Sequence, residues 1–277
     1  MLDEYWRLAS EFVLMDNFYT SVMGPSLPNH LYLIAAQSGG LTGDGSAGIL
    51  NFTSDTVYNN TFHFKCIMDE LDEAGVTWKY YAGGSGYLNN WNPLPGFASF
   101  QASPARMAKV VETEQFIADV QKHALPSVSW VMPSSDNTSE HPPHDITLGE
   151  QNVMALIDAV RSSEYWPSTA IFLTWDDWGG WYDHMAPPQV DGMGYGFRVP
   201  CLIVSPHAKH GVVDHTQADF TSTLKFIETV HSLQSLTTRD ASAADLMEAF
   251  EFRPSGPAQA TGYLLPSEPL KGYFSVR

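Results

Sequence analysis

A chain of 277 residues is long enough to bury a sizeable core and fits one large domain. With 44% hydrophobic, 16% charged and 13% aromatic residues, its composition is globular, which excludes wholesale disorder. The formal net charge of −17, from 14 Lys+Arg against 31 Asp+Glu, repels phosphate backbones and anionic lipid at long range and argues against a nucleic-acid partner. In chain order, MLDEYWRLASEF reads as an acidic amphipathic helix over 2–12, not as a signal peptide with a basic start and an apolar body. Apolar periodicity then predicts helices over 27–37, 62–74, 104–123, 148–162, 219–233 and 243–250, with stop signals at Gly75 and Pro126. Short apolar runs over 76–82, 127–132, 170–175 and 201–205 predict strands of the kind buried on both faces of a parallel sheet. This alternation predicts an α/β fold. No run reaches the ~18 apolar residues of a membrane span. Cys66 and Cys201 stand in a helix-like and a strand-like run and are expected to be buried thiols, not a disulfide or a metal pair.

Long loops rich in Gly, Pro, Ser and Asn separate these elements, and function is expected there. Strand 170–175 runs into Asp176 and Asp177, strand 127–132 into Glu140, His141 and His144, and strand 201–205 into His207 and His210. Ligands of open α/β sheets bind beyond the carboxyl ends of the strands, so three clusters at one edge predict one site. In LTWDDWGGWYDHMAPP the adjacent acids Asp176 and Asp177 raise each other's pKa and call either for a compensating hard cation or for an acidic turn. Gly179 and Gly180 allow a tight turn that returns Asp183 and His184 towards the same edge. In SEHPPHDITLGE two prolines hold His141 and His144 on extended backbone, either as a rigid display of two imidazoles or as exposed loop residues. Ser26 in MGPSLPNHLYL is either an ordinary helix cap or a nucleophile at the positive end of a helix that binds phosphate. The chain has no G-x-S-x-G elbow, which favours a metal-activated serine over a Ser-His-Asp triad.

GPSLPNHLYLIA, SWVMP followed by EHPPHD and LGE, TWDDWGGWYDHMAPP, and FRVPCLIVSPHAKHG followed by HTQADFTSTLKFIE together resemble the phosphoesterase family of bacterial phospholipases C and acid phosphatases. This family lies within the alkaline-phosphatase-like superfamily, and the motifs occur in its order from about Asp16 to Phe252. The resemblance implies a three-layer α/β/α sandwich with a mostly parallel central sheet, formed by a single domain over 1–277. It also implies a divalent metal ion and hydrolysis of a phosphate ester, small or carried on a phospholipid head group, through a phospho-enzyme. Ser26 then stands at the nucleophile's place and is itself a metal ligand, and Asp176 and Asp177 match the acidic ligand pair. His141, Asp183 and His184 match catalytic positions lining the phosphate and leaving-group site, and Asn29 and His144 substrate-binding ones. Family members are often secreted or periplasmic. His30 after Ser26-Leu27-Pro28-Asn29 argues against a sulfatase setting.

The departures bear on the chemistry. Family members open with a strand leading to an E-N-R-S-F-D segment that supplies further metal ligands, and no counterpart is found here; Asp16-Asn17 does not inherit the role. Asp177 replaces the usual Glu, and Trp178 the usual His. A weakened or absent metal site is therefore expected, in a chain that either starts after the first strand or has rebuilt its sheet without it. The alternative to an enzyme is an impaired remnant that binds phosphate-containing ligands or a partner through the same groove.

Overall fold

The runs VSWV, TAIFLT and CLIV are buried at every position, so they form strands covered on both faces. The computed structural model describes residues 2–44, 62–83, 92–252 and, as backbone only, 271–276. The order is α1 (Asp3–Glu11), β1 (Val13–Met15), β2 (Phe18–Tyr19), α2 (Ser26–Ala35), α3 (Ile67–Glu73), β3 (Trp78–Tyr81), α4 (Ala98–Gln101), α5 (Pro104–Met107), β4 (Val110–Val111) and α6 (Gln115–Gln121). Then follow β5 (Val128–Val131), α7 (Ile146–Arg161), β6 (Thr169–Thr174), β7 (Cys201–Val204), β8 (Val212–Asp214), β9 (Ala218–Asp219), α8 (Phe220–His231), α9 (Thr238–Ala241) and β10 (Lys271–Val276).

Eight strands form the main sheet in the order β4-β3-β5-β10-β6-β7-β1-β8. Pairing is parallel from β4 to β6 and again between β1 and β8, whereas β7 runs antiparallel to both its neighbours. Helix α2 packs on α8 and α3, and α7 packs on α6 and α1. The result is the expected α/β/α sandwich with a mostly parallel sheet. Helix α2 is buried at every residue after Ser26, as its predominantly apolar sequence favours, with Asn29 and His30 the polar exceptions. Pro28 is tolerated because N–H groups in a first turn have no intrahelical partner. Cys66 and Cys201 are buried free thiols, and burial pushes both above the ordinary thiol range.

Four differences from the sequence reading have physical causes. The single helix expected over 104–123 is divided into α5 and α6 by edge strand β4, where β-branched Val110 and Val111 pair with Tyr80 and Tyr81. Thr113 holds the chain extended there, its hydroxyl accepting from Gly83 N and donating to Met132 O, both at 2.8 Å. The helix expected over 243–250 is a 3₁₀ turn at Met247–Ala249, while α9 forms earlier because the Asp240 carboxylate accepts the N–H groups of Leu236 and Thr237 at 2.7 Å. Strand β7 is antiparallel to β6, so His207 and His210 leave the sheet at the opposite edge from Asp176. His207 Nε2 meets the Pro167 carbonyl at 2.8 Å, just ahead of the start of β6, so the third polar cluster does not join the other two. Finally, the middle of the sheet is not missing a strand: β10 lies between β5 and β6, parallel to both.

Candidate active-site cleft

Strands β5 and β6 are both parallel to β10, so their carboxyl ends share one edge. Two adjoining cavities open there, of about 500 and 540 Å³, sharing His141, Pro142, Asp177, Trp178 and Gly179. The 500 Å³ cavity also holds His144, Asp176 and Arg198, and the 540 Å³ cavity holds Met23, Gly24 and Pro25, the turn that leads into α2. His141, His144, Asp176 and Asp177 are thus brought to one cleft. Ser26, half-buried, directly follows a residue of its wall.

The geometry at the start of α2 bears on whether Ser26 is a cap. Pro25, not Ser26, occupies the capping position, and no side chain of that residue serves the helix end. Instead Asp44, distant in sequence, accepts the Leu27 N–H at 2.9 Å. The turn before the helix is held by Asn29. Its Oδ1 accepts from Val22 N at 3.1 Å, and its Nδ2 donates to the carbonyls of Gly24 and Pro25 at 3.0 and 3.3 Å. Asn29 is fully buried, so the structure places it behind the cleft wall as the residue that shapes the Ser26 turn.

His141 is oriented from both sides. Glu140 accepts hydrogen bonds from Tyr5 Oη at 2.6 Å and Trp175 Nε1 at 2.9 Å, which ties the histidine loop to α1 and to the end of β6. His141 Nδ1 lies 2.6 Å from the Pro142 carbonyl, which only accepts, so Nδ1 carries a proton. Glu150 of the LGE stretch is used elsewhere: its Oε1 accepts the N–H groups of Glu4 and Tyr5 and caps α1. Asp183 forms a two-point ion pair with Arg198, Nε and Nη2 each at 2.8 Å, which holds its carboxyl far below the usual range. Arg198 also donates from Nη1 to the Asp16 carbonyl at 3.1 Å. His184 is exposed, 3.7 Å from Asp183, and lines neither cavity.

Burial raises the Asp177 carboxyl above its ordinary range, with Asp176 beside it adding to the effect and the Gly179 N–H and His141 opposing it. Asp176 is buried, and among the described residues its Oδ2 has no hydrogen-bond partner and the nearest base is His30 Nε2 at 3.4 Å. Both ring nitrogens of the buried His30 also lack a hydrogen-bond partner among the described residues. Sequence reasoning assigned His30 no role in the site. The signal was its position four residues after Ser26, which puts both on one face of α2. The adjoining acids, one with an orphaned oxygen, have the charge a divalent cation needs. The donor set stops there: among the described residues no three His, Cys, Asp or Glu converge to hold a metal ion. The described residues do not complete a metal site.

The Phosphoesterase family model matches residues 2–234. The chain belongs to the phosphoesterase family. Phospholipase C B of Mycobacterium tuberculosis is 29% identical, covering 92% of this chain and 56% of that protein. Hemolytic phospholipase C of Pseudomonas aeruginosa is 29% identical over 92% of this chain and 42% of its own length. Non-specific phospholipase C1 of Arabidopsis thaliana is 29% identical over 98% of this chain and 54% of its own. This phosphoesterase chain therefore spans about half the length of the curated relatives it matches. Among solved structures, a protein in the alkaline phosphatase superfamily from Vibrio parahaemolyticus superposes with a TM-score of 0.50 at 16% identity, covering 84% of this chain and 61% of that one. A phosphonate monoester hydrolase from Silicibacter pomeroyi gives 0.52 at 14%, covering 94% and 74%. These likenesses show the superfamily fold.

Proposed function

We propose that the chain hydrolyses phosphate esters of the phospholipase C or acid phosphatase type, with Ser26 as nucleophile. The observation that carries this reading is the convergence of His141, His144, Asp176 and Asp177 on a cleft walled by the turn into α2, whose first residue is Ser26. Family membership and phospholipases C among the relatives support the substrate class. In this reading Ser26 Oγ attacks phosphorus and releases its proton to solvent, the bond from phosphorus to the alcohol oxygen breaks, and His141 protonates the departing oxygen. Water then hydrolyses the phosphoserine. The N-terminus of α2 favours the phosphoryl charge. Asp176 and Asp177 would be the two carboxylates of a partial cation site.

The incomplete donor set favours a second reading, a chain that binds phosphate-containing ligands without turning them over. Hydrolysis of p-nitrophenyl phosphate and p-nitrophenyl phosphorylcholine, with divalent metal and with chelator, separates the two. Turnover lost in Ser26→Ala supports the serine mechanism, its metal dependence assigns the cation, and the preferred substrate distinguishes phosphatase from phospholipase C. A folded wild-type chain that binds inorganic phosphate and shows no turnover under any metal supports the second.

A further inference from the structure

The mouth of the cleft carries an uncompensated apolar rim. Trp181 and Tyr182 are 76% and 87% exposed, Met185 42% and Met23 49%, whereas Trp78, Trp130, Tyr80 and Tyr81 lie in the core. Trp181 lines the 500 Å³ cavity and Met23 the 540 Å³ one, while Tyr182 and Met185 follow Trp181 in the chain and line neither. Gly179 and Gly180, with φ of 64° and 79°, make the tight turn from the buried acids out to Trp181. The rim is also electrically quiet. Between Asp177 and Asp191 the only acid is Asp183, and Arg198 neutralises it.

We infer that Met23, Trp181, Tyr182 and Met185 seat the cleft on a zwitterionic phosphatidylcholine surface, presenting head groups to it. This rests on the phosphodiester-lipid form of the proposed function. The chemistry fits a bilayer interface: Trp and Tyr have an apolar body and a polar tip and settle at the head-group level, and thioether chains enter the acyl boundary. The charge of −17 selects against anionic lipid, while a neutral rim meets no such barrier at zwitterionic lipid. A second copy of the chain fits less well. Four partly exposed side chains offer on the order of 500 Å², short of the ~800 Å² per partner of a standard protein interface.

The test is flotation of the whole chain with phosphatidylcholine vesicles, with and without added phosphatidylglycerol, beside the double variant Tyr182→Ser, Met185→Ser. Wild type binds the zwitterionic vesicles and loses affinity as phosphatidylglycerol is added. The double variant binds at least ~10-fold more weakly, which corresponds to ~1.4 kcal/mol, and Tyr182→Trp with Met185→Leu restores binding. Turnover of p-nitrophenyl phosphorylcholine is unchanged in the double variant, while hydrolysis of vesicle lipid falls with binding. Equal flotation of wild type and double variant, or no flotation of wild type, overturns the inference. So does a wild-type dimer in light scattering that the double variant breaks, because the rim then belongs to a second copy. Vesicle binding that depends on the rim, without hydrolysis of any substrate, leaves the docking surface standing and removes the enzymatic reading.

Discussion

Two groups of acids in this molecule, each with one buried member, Asp219 in one and Asp176 in the other, are treated in opposite ways. On the far side of α2, Arg239 lies between the rings of Tyr32 and Tyr195, at 5.2 and 4.6 Å, and pairs with Asp191 and with Asp219. It also donates to the carbonyls of Ser21 at 2.7 Å and Gly194 at 3.2 Å, which ties α9 to the turn ahead of Ser26. At the cleft, Asp176 and Asp177 adjoin with no guanidinium or ammonium paired to either among the described residues, where an imidazole at 3.4 Å is the nearest base. Buried charge with a partner is a structural device, whereas buried charge left without one marks a candidate site for a ligand.

Removing the partner breaks the first group. Arg239→Met leaves Asp219 buried without its cation and lowers stability by ~3–5 kcal/mol, read by denaturant unfolding. Adding Asp219→Asn recovers part of that loss, and a strictly additive double mutant would sever the link drawn between them.

A third group sharpens the contrast. Burial, with a hydrogen bond to Asp240, pushes the Glu228 carboxyl up to about 8. Its folded pKa lies above the unfolded one, so the carboxyl form is favoured in the fold. The stabilisation it provides is complete below the unfolded pKa and is lost as pH rises from there through about 8. Glu228→Gln keeps the uncharged form, so at pH ~9 it is more stable than wild type by ~2–4 kcal/mol, and the gap closes towards pH ~4. Unfolding curves across this range that run parallel for the two proteins contradict the assignment.

Asp183 has the opposite sign. Its hydrogen bonds to Arg198 hold the folded carboxyl below its unfolded value, so the pair's stabilisation is present above the unfolded pKa and lost as pH falls through the folded one. Arg198→Met lowers stability by ~1–2 kcal/mol at neutral pH, and thermal melts at pH ~2 show a much smaller gap. The smallest change in stability is expected at the cleft itself. Asp177→Asn removes a like-charge neighbour from Asp176 and raises stability by ~0.5–1 kcal/mol while suppressing turnover, the trade expected of a functional site. Loss of stability with activity retained would place Asp177 among the structural acids.

How much of this was legible follows from how local each signal is. The span of α2, the buried strands and the cysteines' burial rest on short-range patterns, and the structure agrees with them. The direction of β7 does not: CLIV reads alike in either orientation, and only its pairing with Ile171–Thr174 shows that His207 and His210 exit at the wrong edge. Val110-Val111 lies within a window that otherwise reads as helix, and the competing partner, Tyr80-Tyr81, is remote in sequence. Of the site, His141, His144, Asp176 and Asp177 were visible as strand-end clusters. Asn29, Asp44 and Glu150 act through backbone N–H or carbonyl groups, which leave no trace in a one-dimensional pattern.

The position of β10 has a consequence for how the chain assembles. Residues 271–276 are synthesised after every other strand of the sheet, yet they separate β5 from β6. Until they arrive, the two strands that deliver His141 and Asp176 flank an open seam, each with an unpaired edge. The cleft is therefore completed at the end of folding, by contacts of long sequence separation that form slowly. A nascent or clipped chain would have the site's residues without the spacing between them.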